Sequence, residues 1–318
     1  VNKYPSKVGA DRGFTLVELL VSMATLIGLM AMLVSLSSQT GRLWSEGDSR
    51  NQQRSNGRAL LQFIARELRM SAIPASSSQL ISAGATVPPA NLQMIANLPD
   101  DSDCDTVIPA GLLNPHGIFW QVPTGREGGR GDIACVGYFI RWNTPQPGVA
   151  QPELCRYYVD SSDAANYLIY NNDSGKPVNW LSNISTIAPG SPGNYKGWFA
   201  DNVIALWVRV LDASGNPITT TADGQKFNGG YGFDSRLGFT DSNGVVHPAP
   251  ALPPVVEIAL VTIETSAAQQ IAAPIAASSA GPETFYQDIQ SFLSGLPEGI
   301  RRGAQCYSTK VYLQTSLP

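Results

Sequence analysis

The chain of 318 residues reads as an α+β protein in which a long N-terminal helix packs on an antiparallel β-sheet. Three observations predict this. No proline interrupts residues 14 to 73, and Pro74 is the first to follow. Beyond residue 132, runs of alternating apolar and polar residues end in Gly, Pro, Asn and Asp, the pattern of half-buried strands and turns. Charged residues are only 14%, with 30 glycines and 23 prolines, a composition of loop-rich β folds rather than helical bundles. The net charge of −4 gives no support for nucleic-acid binding.

The helix begins in an apolar stretch. From Leu19 to Leu36 there is no charged residue, and a helix of that length is about 27 Å long, close to the hydrocarbon thickness of a bilayer. Glu18 stands at its edge, where a carboxylate near lipid asks for a partner. Lys3, Lys7 and Arg12 precede it. The positive-inside rule then keeps residues 1–13 cytoplasmic and sends the bulk of the chain outward, in a bacterium to the periplasm, where disulfides persist.

The order Gly13-Phe14-Thr15-Leu16-Val17-Glu18 followed by that apolar run resembles the prepilin peptidase site of type IV pilins and type II secretion pseudopilins. The resemblance implies a leader over residues 1–13, cleavage after Gly13, N-methylation of Phe14, and an assembly role for Glu18 against a neighbouring subunit's Phe14 amine. It implies as partners the prepilin peptidase, the inner membrane and other pilins. An ordinary signal anchor is the rival reading. A cleaved secretory signal fits less well, because no apolar core precedes Phe14 and no A-x-A-like site closes the run.

The helix is expected over 14–73, crossing the membrane at about 14–36, with Gly28, Gly41, Gly47 and Gly57 as weak points and bending expected near Gly41 and Gly47. From Arg58 it turns amphipathic. Leu60, Ile64 and Leu68 share a stripe for docking on the sheet, with Arg58, Arg66, Glu67 and Arg69 between the apolar positions and the arginines left in solvent. Arg42, Glu46, Arg50, Arg54 and Arg58 recur every four residues and read as a solvated face. The segment 58–69 resembles the corresponding helix of J-type minor pseudopilins.

Residues 74–318 form the expected globular domain. Residues 74–131 look irregular. Their most acidic patch, Asp100, Asp101, Asp103 and Asp105, could offer oxygen ligands to Ca²⁺, but it lacks the EF-hand's glycine and distal glutamate. Arg130-Gly-Asp132 reads as a turn into a strand. Strands are expected at 133–142, 154–159, 202–211, 255–264 and 306–314, with a short helix at 282–296 and a glycine-rich surface loop over 213–250. The order resembles the J-type pseudopilin and, from Asn202 onward, the prepilin-like Verru_Chthon cassette proteins, which implies a pilin-like fold.

The cysteines are Cys104, Cys135, Cys155 and Cys306. Four allow three pairings; Cys135 with Cys155 across a hairpin, and Cys104 with Cys306, is the arrangement expected. Zinc is the alternative, but there is no C-x-x-C, and only His116 and His247 could assist. Both histidines sit beside prolines and no G-x-S-x-G occurs, so an enzyme is not expected. The functional reading is a minor pilin or pseudopilin, a structural subunit suited to a filament tip. The alternative is an adhesin or DNA-uptake module on the same anchor, and DNA uptake would call for a basic stripe.

Overall fold

The computed structural model describes residues 15–71, 93–97, 114–123, 133–163, 166–167, 179–181, 197–227 and 231–313. The chain divides into two compact units, 1–52 and 53–318. Helix α1, Leu16–Arg69, is unbroken and contributes to both. It runs through Gly41 and Gly47 without a break.

In the first unit, Leu16–Thr40 is a helix long and apolar enough to cross a membrane, with none of it buried by the protein. Its hydroxyls are satisfied within the helix. Ser22 donates to the Glu18 carbonyl at 2.7 Å, Thr25 to Val21 at 3.1 Å and Ser22 at 2.9 Å, Ser38 to Ser35 at 2.8 Å and Thr40 to Leu36 at 2.8 Å. This back-bonding is what a polar group needs where water is absent.

In the second unit the end of α1 buries Leu61, Ile64, Ala65 and Leu68, one stripe at spacings of three and four. Each large side chain on it contributes about 2 kcal/mol. Leu60 lies at the margin. The stripe shares a core with two antiparallel sheets. The larger contains β1 (Ile95–Ala96), β2 (Gly117–Pro123), β3 (Ile133–Gln146), β4 (Val149–Val159), β5 (Trp198–Asp201) and β7 (Phe233–Asp234), in the order β5-β4-β3-β2-β1-β7. The smaller contains β6 (Val203–Leu211), β10 (Val255–Thr262) and β11 (Gln305–Tyr312), in the order β11-β10-β6. A two-stranded ribbon, β8 (Phe239–Thr240) with β9 (Val246–His247), completes the β structure among the described residues.

Three short helices, α2 (Thr265–Ala268), α3 (Phe285–Gly295) and α4 (Glu298–Arg301), supply Ala267, Phe285, Ile289 and Ile300 to a second cluster with Ile204, Trp207, Ala259 and Val261. Strand β10 is therefore buried along its whole length. Arg209 on β6 ties this layer down. It pairs with Glu257, directly opposite on β10, at 2.7 Å, donates to the Pro282 carbonyl at 2.8 Å, and lies 4.5 Å over the Phe285 ring.

Several expectations need correction. The sheet is not single. Residues 74–131 are not wholly irregular, because they contain β1 and β2. Strand β2 (Gly117-Ile-Phe-Trp-Gln-Val-Pro123) is buried on both faces, so it shows no alternation to betray it. Strand β3 likewise buries both faces rather than one. The region 213–250 is not one loop. It carries β7, β8 and β9 and turns of a single design in Asp212-Ala-Ser-Gly-Asn216, Thr221-Ala-Asp-Gly-Gln225 and Asp241-Ser-Asn-Gly-Val245. In each, the first residue's side-chain oxygen accepts from the fifth N–H, at 2.8, 3.1 and 2.8 Å. The first N–H donates to the fifth carbonyl, and the glycine N–H donates back to the first carbonyl. The glycines take φ of 84°, 86° and 79°, the left-handed region that glycine enters without steric cost.

Candidate functional site

The candidate site begins at the origin of α1. Thr15 precedes the first helical residue, and Glu18 lies three positions on. The Thr15 N–H and hydroxyl both donate to Glu18 Oε2 at 3.1 Å, and the Glu18 N–H donates to Thr15 Oγ1 at 3.3 Å. This is a capping box, satisfying two N–H groups that a helix start otherwise leaves open. Its sequence signature, Thr-x-x-Glu, was present in Thr15-Leu-Val-Glu18. The carboxylate is exposed and turned back toward the chain's beginning, with no partner from another element among the described residues. Gly13 and Phe14 lie outside the described residues.

The other end of α1 is fastened by charge. Glu67 is buried beneath the helix and forms an ion pair with Arg156 on β4. It also accepts from the Tyr138 hydroxyl on β3. Burial, then the adjacent Glu67 charge, pushes the Tyr138 phenol well above its ordinary range. The Arg156 guanidinium lies 4.4 Å over the Tyr158 ring and 5.6 Å over Phe63, a cation–π stack that fixes its direction. Nearer the middle of the chain's helix, Gln53 donates to Thr262 Oγ1 at 3.1 Å and to the Gly303 carbonyl at 2.9 Å. Gly57 backs onto Tyr307 so closely that a Cβ there would meet the ring at 2.5 Å. Glycine at 57 is thus a packing requirement rather than the weak point expected from sequence.

Beside this end of the helix runs a groove of about 240 Å³ lined by Arg58, Leu61, Gln62, Ala65 and Arg69 of α1 and Ser308 and Thr309 of β11.

The expected cysteine pairing is corrected. Cys135, Cys155 and Cys306 are all free. The hairpin of β3 and β4 exists, but Cys135 stands opposite Val159 and Cys155 opposite Phe139. Its tip lies between Gln146 and Val149, far nearer to Cys155 than to Cys135. Four strand residues correspond to about 13 Å, twice what a disulfide spans. Burial pushes the Cys155 thiol up to about 12 and Cys135 higher still, so both are inert as nucleophiles. Cys104, the partner expected for Cys306, and the candidate calcium ligands Asp100, Asp101, Asp103 and Asp105 lie outside the described residues. Among the described residues, no three of His, Cys, Asp and Glu gather as metal ligands.

The histidines occupy different settings. His116 is buried, accepts the Val208 N–H at Nδ1 at 3.0 Å, and packs on Tyr231 with ring centres 4.3 Å apart. Burial lowers its pKa from 6.5 to about 3, against a smaller opposing effect of the Val208 bond, so it is neutral at pH 7. His247 stacks on Phe239 at 4.3 Å, with Nε2 3.4 Å from Asp241. No protein-family model, curated protein or solved structure matches the chain.

Proposed function

We propose that this chain is a minor pilin or pseudopilin, a structural subunit that a prepilin peptidase matures and that joins a membrane-rooted filament through α1. The observation that carries the reading is the start of the helix. Gly13-Phe-Thr-Leu-Val-Glu18 leads directly into a segment long and apolar enough to span a bilayer, with Glu18 as the only acidic residue between Phe14 and Glu46. The leader is then cytoplasmic, and the unit of sheets and short helices is periplasmic.

The capping box gives Glu18 a definite task before assembly. In the free subunit its charge is compensated by the Thr15 N–H and hydroxyl. In the filament a neighbour's methylated Phe14 amine offers a full positive charge, a Coulombic attraction that the neutral Thr15 donors do not supply. The exchange makes subunit addition register-specific.

The test is intact-mass measurement and N-terminal sequencing of the membrane-extracted protein from its native host. The expected mature chain starts at N-methylated Phe14. A chain retaining residues 1–13, or one cut beyond Leu36, would refute the reading. Glu18→Ala is expected to be cleaved normally yet fail to co-purify with filament partners. Unchanged co-assembly would remove the proposed charge exchange.

A further inference from the structure

Between Gln53 and Arg69, α1 exposes Arg54, Arg58, Arg66 and Arg69, while the one carboxylate of that stretch, Glu67, is buried against Arg156. Among the described residues, none of these four arginines is in an ion pair. In a chain of net charge −4, this strip concentrates positive charge on one side of a helix.

Strand β11 lies alongside. It is the outer strand of the smaller sheet and pairs only with β10 among the described residues. Gln53 reaching Gly303 and Gly57 backing onto Tyr307 show that helix and strand advance side by side. The eight residues Gln305–Tyr312 contain no proline, pair with β10 without a register shift, and carry one charge, Lys310. The usual devices that blunt a sheet edge are thus reduced to a single lysine. Every second residue of such a strand turns an N–H and a C=O away from its partner, and Ser308 and Thr309 of β11 line the groove together with Arg58 and Arg69.

We propose that an extended acidic segment of a partner protein adds to β11 as a fourth strand of the smaller sheet, its carboxylates held by Arg58 and Arg69. Main-chain hydrogen bonds supply the affinity of strand addition, and the flanking side chains select the sequence. The two arginines are separated by about 16 Å along the helix, which a strand covers in about five residues. Side chains on one face of a strand recur at even steps, so the matching carboxylates stand four or six residues apart. A second copy of the chain is a poor occupant through this edge. Pairing β11 with β11 would bring Lys310 and the arginine strips of both copies together, with no acidic residue in either strand. The inference rests on the fold of the second unit alone, and its failure leaves the maturation test above untouched.

The experiment uses the full chain in detergent micelles and a labelled decapeptide of alternating threonine and valine with glutamates at its third and seventh positions. Fluorescence anisotropy reports binding, and amide hydrogen exchange reports where. The expected result is saturable binding that slows exchange in β11. Arg58→Gln combined with Arg69→Gln should weaken it by about tenfold or more, while Arg66→Gln, outside the groove, leaves it unchanged. All three positions are exposed, and far-UV circular dichroism verifies the fold. A peptide with lysines in place of the glutamates should not bind. Absence of binding, equal binding by the double variant or the lysine peptide, or binding without slowed exchange in β11 overturns the proposal. So does displacement of the glutamate peptide by a single-stranded oligonucleotide of equal charge that leaves β11 exchange fast, which would mark the strip as a phosphate surface. Concentration-dependent protection of β11 without peptide would assign the edge to a second copy instead.

Discussion

One helix carries two glutamates in opposite circumstances. Glu18 is exposed, and its partners are the backbone and hydroxyl of Thr15. Glu67 is buried, and its partners, Tyr138 and Arg156, come from strands β3 and β4. The regions around them differ in the same way. Leu16–Thr40 turns its apolar side chains outward and satisfies its hydroxyls internally, whereas Gln53–Arg69 buries one stripe and exposes its arginines. One backbone geometry therefore carries two patterns of side chains, and the placement of polar groups tells the two regions apart. A carboxylate that depends only on its own turn is free to take a new partner. One that depends on distant strands is not.

Acid should separate the regions most strongly. His116 takes up a proton at 6.5 when unfolded and at about 3 when folded. Between those values the unfolded chain binds more protons, so stability falls as pH drops, by up to about 5 kcal/mol at pH 3. The second unit should lose near-UV circular dichroism across that window while the Leu16–Thr40 helix persists in micelles. His116→Asn, whose amide oxygen can still accept from the Val208 N–H, should flatten the dependence. An unchanged acid midpoint in that variant would show that other groups govern it.

Next in size is Glu67→Ala. It strands the half-buried Arg156 and the buried Tyr138 hydroxyl, at a cost of about 3 kcal/mol, read as a lower urea midpoint for the second unit. Glu18→Ala removes only a cap, worth about 1 kcal/mol to its helix, and should leave that midpoint alone. If both substitutions shift it equally, the two glutamates support the fold alike.

Smallest is a pair of glycine substitutions. Alanine gains about 1 kcal/mol over glycine in a helix. Gly28 has nothing within 4 Å of a built Cβ, so Gly28→Ala should raise helicity in micelles. At Gly57 the same Cβ meets the Tyr307 ring at 2.5 Å, and overpacking reverses the gain, for a net loss of about 1–2 kcal/mol. A stabilised Gly57→Ala would mean that Tyr307 swings aside without cost.

Much of the fold was legible where one physical signal dominated. Proline-free sequence marked α1, and alternation or continuous apolar runs marked β3, β4, β6, β10 and β11, each within a few residues of its observed bounds. What escaped had no local signal. Strand β2 is covered on both sides, β5 is only Trp198–Asp201, and β1, β7, β8 and β9 are two residues each. Nothing local marked Glu67 as buried, because its partner Arg156 lies 89 positions away. The cysteine pairing failed on register, since recognising a hairpin does not locate its tip. At the candidate site, Glu18 stood out by its lone charge, while its hydrogen-bonding relation to Thr15 lay in a four-residue signature that the apolar run overshadowed.

The three five-residue turns at Asp212, Thr221 and Asp241 hold themselves closed through their first, fourth and fifth residues. Their second and third residues are not alike: Asp223 accepts from the Thr221 hydroxyl and, at 3.3 Å, from the Gln225 N–H, and Ser242 donates to Asp212, whereas Ala213 is exposed. Mutational drift can therefore rewrite the chemistry at position 213 while the scaffold beneath stays constant, but changes at Asp223 or Ser242 undo bonds that hold a turn. A protein engineer could use the same freedom to place a reactive side chain at position 213 without redesigning the fold.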